Sequence, residues 1–389
     1  MPWQELSPVD LRVRFISEYL SGLFTMTDLT AQYGISRKTG YKWLERYQAA
    51  GPGALADRSR RPHAHPAATD TKVVDALLAV RQRHPRWGAK KLLGIVRPQD
   101  PARAWPSRST VCDLLRRHGY IVPRRRRRSV PHGSHALAPI TRPNATWTTD
   151  FKGEFRTRDG AYCYPLTLRD GFSRYVLRCD ALLSRNVVAT RHRFERAFAE
   201  FGLPDRIRSD NGGPFAGPGL GRLSRLNVWW IRLGIVPERI ALGHPEQNGS
   251  HEQFHAVLKA ETTRPPAATA SAQQRRFARF CREYNDVRPH ESLGDRPPAT
   301  FYEPSPRPLP ARLPALEYAG HLEVRRVSTC GAMSWRGAAV FLTEVLAGEY
   351  VALEEVDDGV WTLYLGAIPL ARFHERTRQL TELPSMPST

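Results

Sequence analysis

The sequence has little of what would place it in a membrane, a secretory pathway or a zinc-ribbon fold. Its five cysteines, Cys112, Cys163, Cys179, Cys281 and Cys330, are scattered with no pair at C-x-x-C spacing. That pattern offers neither a zinc ribbon nor a disulfide framework, so the thiols are expected to be reduced and structural. No apolar run approaches the roughly 20 residues that a membrane-spanning helix needs. The opening stretch MPWQELSPVDLRVRF carries charges where a leader would require an apolar core. The expectation is a soluble, intracellular protein with no membrane partner.

Acidic residues are also scarce, 38 against 58 Lys and Arg, for a net charge of +20. The imbalance is local. Met1–Pro143 holds 26 basic and 10 acidic residues, whereas Asn144–Thr389 holds 32 and 28. The first third therefore has the electrostatics of a polyanion binder. A length of 389 residues suits two to four domains with at least one sizeable core.

Two helical units fit the basic third. In TMTDLTAQYGISRKTGYKWLERYQAAG, Thr27 is expected to cap a short helix through Tyr33, Gly34 to make the turn, and Ser36 to cap a second helix to about Ala49. That is helix-turn-helix spacing, which places Arg37, Lys38, Thr39, Tyr41 and Lys42 near the start of a recognition helix. A plain helical hairpin is the commoner use of such a pair, but the basic surroundings favour DNA. After the polar linker DRSRRPHAHPAATD, the stretches VVDALLAVRQRHP, PRWGAKKLLGIV and PSRSTVCDLLRRHGY predict three more helices, the last capped by Ser107 or Ser109. The run Arg124, Arg125, Arg126, Arg127 and Arg128 then reads either as a solvated linker or as a tracker of DNA phosphates with steep salt dependence.

From about Asn144 strands and helices alternate, predicting an α/β domain with a mixed sheet. After the Pro-rich EPSPRPLPARLP, residues from about His321 to Glu375 show period-two alternation and a turn at Asp358-Gly359, predicting a small β-barrel.

Two aspartates end strands of the α/β domain. Asp150 shares a face with Thr146 and Thr148, and Asp210 precedes the Asn211-Gly212-Gly213 turn. Taken singly, Asp210 is as well explained by an Asx-turn and Asp150 by a surface strand position. Three carboxylates converging from two strands and a helix would instead suit two Mg²⁺ ions and in-line phosphoryl displacement.

WTTDF, RSDNGGPF, HPEQNGSHEQFHAVLKAE and YNDVRPHESLGDRPPATFY, in that order, resemble the DDE transposases of bacterial insertion sequences with a retroviral-type integrase catalytic core. The likeness covers residues 144 to 303. It implies an RNase H-like fold with a mixed five-stranded sheet, two Mg²⁺ ions with Mn²⁺ as substitute, and cutting and joining of DNA ends. It also implies a multidomain chain: helix-turn-helix units at 1–60 and 68–122, a basic linker at 123–143, the core at 144–303 and the barrel at 318–378. Double-stranded DNA, as element ends and as target, would be the partner of a homo-multimer in the cytoplasm, associated with the nucleoid.

The resemblance also bears on which glutamate joins Asp150 and Asp210. Many members of the family have 35 residues between the second aspartate and the glutamate, the separation of Asp210 from Glu246. The family's Pro…Gly-x-x-Glu pattern instead fits Pro245, Gly249 and Glu252, with about six extra residues accommodated in FAGPGLGRLSRL. Phe254, Val257 and Leu258 define a buried stripe, from which Glu252 lies about 200° away at roughly 100° per residue. Lys259 returns to the same side to meet a DNA phosphate. Glu252 is therefore expected as the third catalytic and metal-holding carboxylate, with Glu246, read as a first-turn residue, as its rival. His244, His251 and His255 are expected at the surface, because Mg²⁺ needs no imidazole. His63 and His65 lack a following cysteine pair, which argues against zinc. Asn211 and Arg288-Pro289-His290 match family motifs and are expected to support site geometry or touch DNA. A decayed, DNA-binding repressor and an RNase H-like nuclease without joining activity are the alternatives.

Overall fold

The computed structural model describes residues 7–60, 68–121, 137–217, 219–241, 247 and 249–383. The chain divides into two compact units, Met1–Asp70 and Thr71–Thr389. The first is built from α1 (Pro8–Leu20), α2 (Met26–Gln32) and α3 (Arg37–Ala50). The cap of α2 is Thr25 and not Thr27. Thr25 has an acid three residues on, and the two form a capping box in which the Asp28 N–H donates to the Thr25 hydroxyl and the Thr25 N–H donates to the Asp28 carboxylate. Thr27 has only Thr30 at that spacing. Ser36 caps α3 as its sequence predicts, and Gly34 makes the turn at φ +64. Phe15, Ile16, Leu29, Trp43 and Leu44 form the core. Gly40 lets α3 approach closely, since a Cβ there would stand 2.7 Å from Met26 Sδ and 2.9 Å from Thr30 Cγ2.

The second unit opens with α4 (Thr71–Arg83), α5 (Ala89–Gln99) and α6 (Arg108–Arg117), packed around Leu77, Trp87, Leu92 and Val111. Ser107 is the cap of α6, accepting from the Thr110 N–H.

A mixed sheet follows: β1 (Thr146–Phe151), β2 (Phe155–Arg156), β3 (Tyr162–Asp170), β4 (Val176–Leu182), β5 (Arg206–Ser209) and β6 (Val236–Arg239). Antiparallel β4-β3-β1 continues into parallel β1-β5-β6. The sheet has six strands, one more than the family resemblance implies. The two-residue β2, too short for a periodic signal, pairs with the start of β3.

Alternation along each strand divides the sheet's faces. Trp147, Leu166, Leu168 and Ile207 meet α7 (Val187–Phe201) and α8 (Arg225–Arg232), while Cys163, Val176 and Cys179 meet α9 (Gly249–Thr262) and α10 (Ala270–Asp286). The helices α4–α6 lean on the α9/α10 side. There His84 Nδ1 lies 2.8 Å from Glu283, Lys90 pairs with Glu291 at 2.7 Å, and Gly94 sits against Pro289.

The C-terminal strands do not close into a barrel. β7 (Glu323–Arg326), β10 (Tyr350–Asp357), β11 (Val360–Leu365), β12 (Ile368–His374) and β13 (Gln379–Thr381) form an open antiparallel sheet in the order β13-β12-β11-β10-β7. β8 (Ala332–Trp335) and β9 (Ala338–Phe341) make a separate hairpin. The apolar faces are covered from outside: Leu223, Val228 and Ile231 of the α8 region pack with Met333, Trp335 and Leu363. Arg232 fixes the dock through Glu349 at 2.9 Å. A sheet that buries its face on a helix has no need to close on itself.

Candidate active site

Register brings the two aspartates together. Thr148 pairs with Arg208 across the parallel β1-β5 ladder, and two residues further on stand Asp150, in β1, and Asp210, just past the end of β5. Neighbouring strands lie about 4.8 Å apart. Both side chains project to the α9 face, as Thr148 does where its Oγ1 meets His251 Nδ1 at 2.9 Å. Burial, then the neighbouring Asp210 charge, pushes Asp150 up to about 7, and Glu252 adds a smaller push the same way. Burial also raises Asp210, offset in part by the Gly212 N–H and by Arg185.

Glu252 sits in the first turn of α9, exposed, where the positive end of the helix favours a carboxylate. The described helix starts at Gly249. Glu246 and His244 lie outside the described residues, as do His63, His65 and Arg124–Arg128. The third glutamate of the stretch, Glu261, is engaged by Arg288 at 2.9 Å.

His251 and His255 are buried, contrary to a surface placement. Their Nε2 atoms lie 2.7 and 2.8 Å from Thr167 Oγ1, and His255 Nδ1 lies 3.6 Å from the Asp150 carboxyl. Helical spacing puts them on the Phe254–Leu258 side of α9, a signal that their polarity masks. Burial holds His255 down to about 3 and His251 well below the usual imidazole range, so both are neutral. Lys152, absent from the residues expected at the site, stands near both Asp150 and Lys259. Its pKa is lowered first by burial and then by Lys259, while Asp150 pulls it up. Its place two residues after Asp150 is the one signal the sequence offers for it. Asn211 donates to the Ile240 carbonyl at 2.7 Å, tying the end of β5 to β6.

In the helix-turn-helix unit Arg37, Lys38, Tyr41 and Lys42 are exposed on α3, and Thr39 is half-buried with its N–H given to the Ser36 cap. Lys42 and Arg46 both lie 4.8 Å from the Trp43 ring centroid, so α3 carries cations along its flank.

The aspartate pair suits a hard divalent cation. Asp210 Oδ1 is buried without a hydrogen-bond partner, and Asp150 resists ionisation beside it. Carboxylate oxygens are the donors that Mg²⁺ and Mn²⁺ prefer. Among the described residues, no three His, Cys, Asp or Glu side chains close to a common metal-holding cluster. The two aspartates and Glu252 are thus neighbours whose charges interact but which are not drawn onto one point.

The sequence matches the helix-turn-helix domain family over residues 11–63, the homeodomain-like domain family over 39–115, and the integrase core domain family over 140–245 and again over 233–298. It is 30% identical over 256 residues to the insertion element IS476 uncharacterized 39.2 kDa protein of Xanthomonas euvesicatoria, an alignment covering 64% of this chain and 70% of that protein. The chain belongs to the insertion-element transposases with an integrase core. The transposase is also 25% identical over 229 residues to the insertion element IS407 uncharacterized 31.7 kDa protein of Burkholderia multivorans (strain ATCC 17616 / 249), covering 58% of the one and 78% of the other. Among solved structures, the catalytic core of HTLV-2 integrase in complex with magnesium aligns with 42% of the transposase and 98% of that chain, at 14% identity and a TM-score of 0.34. A simian T-cell lymphotropic virus intasome chain covers 76% of the transposase and 98% of itself, at 15% identity and a TM-score of 0.36. No helix among the described residues is long and apolar enough to cross a membrane.

Proposed function

We propose that this transposase binds the terminal inverted repeats of its element through the helical units at 1–60 and 68–122, and cuts and joins DNA at a site built from Asp150, Asp210 and Glu252. The observation that carries the reading is the pair of half-buried aspartates at the ends of the parallel strands β1 and β5, whose charges interact and one of which has an orphaned buried oxygen. The three carboxylates would hold two divalent cations. Such ions, when bound, activate an attacking oxygen and stabilise a leaving one.

The chain's own groups prepare the rest. Lys152 and Lys259 supply positive charge beside the carboxylates for the phosphates flanking the scissile bond. The neutral His251 and His255 fix α9 against β1 through Thr148 and against β3 through Thr167. Water would first attack the phosphodiester at the element end, releasing a 3′-OH that then attacks a target phosphodiester. Joining two ends requires a homo-multimer on DNA.

The test is nicking and joining of an end-bearing duplex with Mg²⁺ or Mn²⁺. Wild type is expected to give both products, and Asp210→Asn neither, with DNA binding retained. Binding without any product would leave the repressor reading, and nicked product without joining would leave the nuclease reading.

A further inference from the structure

A second charged site lies on the far end of the same sheet face, where α5 meets the core. Its cavity, about 360 Å³, is lined by Lys91 of α5, Arg169 at the end of β3, Arg174 of the β3-β4 turn, and Arg288 and His290 after α10. Ser250 and Gln253 of α9 complete the wall, flanking Glu252 in the sequence.

The charges here are only partly balanced by the protein, through Glu261 and Asp295 near Lys91 and Asp170 near Arg169. Arg169 is only 3% exposed, and one of its terminal nitrogens donates to the Ser250 carbonyl at 2.9 Å. Its Nε is buried with no partner, as is His290 Nε2. The Arg169 guanidinium lies 4.7 Å from the Phe254 ring centroid, which gives it a face to rest on but no counter-charge. Arg174 donates to Ser250 Oγ at 2.5 Å. Arg288 has a carboxylate partner, Glu261. Among the described residues, Lys91, Arg169 and Arg174 form no ion pair.

A buried arginine stays protonated, and a buried charge without a counter-charge is costly. The surrounding groups register the excess. Burial and then the Arg288 charge bring Lys91 down to about 8 against the opposing pull of Glu261 and Asp295, and burial followed by Lys91, Arg288, Arg169 and Arg174 brings His290 down to about 3. The missing element is an anion with several acceptor oxygens.

We propose that this cavity is a phosphate-binding site, and that its occupant is a backbone phosphate of the DNA strand that runs into the active site. The proposal rests on the functional reading above for the identity of the strand, while the phosphate chemistry stands on the cavity itself. The Lys91 ammonium and the guanidinium groups of Arg174 and Arg288 are the cationic donors that line the cavity, while Arg169 Nε lies buried and unpartnered in its wall. Because Lys91 comes from the helical unit and Ser250 and Gln253 from the α9 turn that carries Glu252, a phosphate here would tie the docked helices to the catalytic helix.

The experiment uses the full chain without divalent metal, so that it reads binding and is independent of cleavage. Wild type, Lys91→Met/Arg174→Gln and a control pair on the exposed face of α10, Arg275→Gln/Arg279→Gln, are titrated with a random-sequence duplex over a range of salt concentrations. The slope of log K against log salt is expected to fall by about 1 in the pocket variant, as it does when one DNA phosphate is no longer neutralised, and by less in the control. In parallel, inorganic phosphate is expected to raise the melting temperature of wild type at fixed ionic strength more than chloride does, and to lose that effect in the pocket variant. A phosphate effect with an unchanged DNA slope would assign the site to a free phosphate compound, overturning the DNA-strand occupant. No phosphate effect together with equal slopes in all three proteins would overturn the site altogether. Failure of wild type to nick DNA in Mg²⁺, with both binding results intact, would count against the catalytic reading and leave the phosphate site standing.

Discussion

His255 Nδ1 faces the Asp150 carboxyl at 3.6 Å while its Nε2 lies 2.8 Å from Thr167 Oγ1. With the Thr167 hydroxyl donating to the Asp150 carbonyl at 3.0 Å, both histidine Nε2 atoms must donate to Thr167, which leaves His255 Nδ1 as a bare lone pair. A lone pair opposite a carboxylate is unfavourable. The same lone pair is tolerated once the carboxyl is protonated or its charge is neutralised by a cation.

His251 is bonded at both ring nitrogens, to Thr148 and Thr167. His251→Ala should therefore remove one bond from each of the Thr148 and Thr167 hydroxyls and cost about 1–3 kcal/mol. Urea unfolding of the second unit would show it, with duplex binding by the helix-turn-helix unit unchanged. Unaltered stability would mean that this network does not hold α9 to the sheet.

The buried histidines set an acid limit. His255 and His290 are each held down to about 3, well below their unfolded value of about 6.5. A depressed folded value contributes stability that is fully present above pH 6.5 and lost as pH falls toward 3. Chemical unfolding at pH 7 and pH 5 should show the loss, and His290→Gln should make it shallower. An equally steep loss in that variant would assign it to other groups.

Gly40→Val should disrupt the first unit, because its Cβ meets Met26 and Thr30 inside contact distance. Overpacking of this kind costs about 1–3 kcal/mol. The melting temperature and DNA affinity should fall together. Arg37→Gln and Lys38→Gln, on exposed positions, should weaken DNA binding and reduce its salt slope by up to about 1 each, with the melting temperature unchanged.

Alternation within TWTTDF is enough to place Asp150 opposite Trp147, and the Asn-Gly-Gly turn is enough to end β5 beside Asp210. Their adjacency depends on the parallel register of β1 with β5, a long-range pairing that no local pattern encodes. The helical period also places Phe254 and Leu258 inward. His251 and His255 share that side, but a polar imidazole argues for the surface until Thr148 and Thr167, far away in sequence, supply the bonds that make its burial possible. The C-terminal strands are legible one by one from period-two alternation. Their failure to close follows from α8 covering the sheet, which again is a distant contact. Lys91 and Arg169 belong to separate segments of the sequence, so the basic cavity between them has no local signature.

The central claim, that Glu252 completes the site with Asp150 and Asp210, is tested most directly by strand transfer with Glu252→Gln and Glu246→Gln on a duplex carrying the element's end. The account predicts that Glu252→Gln abolishes joining while still binding the end, and that Glu246→Gln joins at close to the wild-type rate. Joining by Glu252→Gln, with loss in Glu246→Gln, would contradict it.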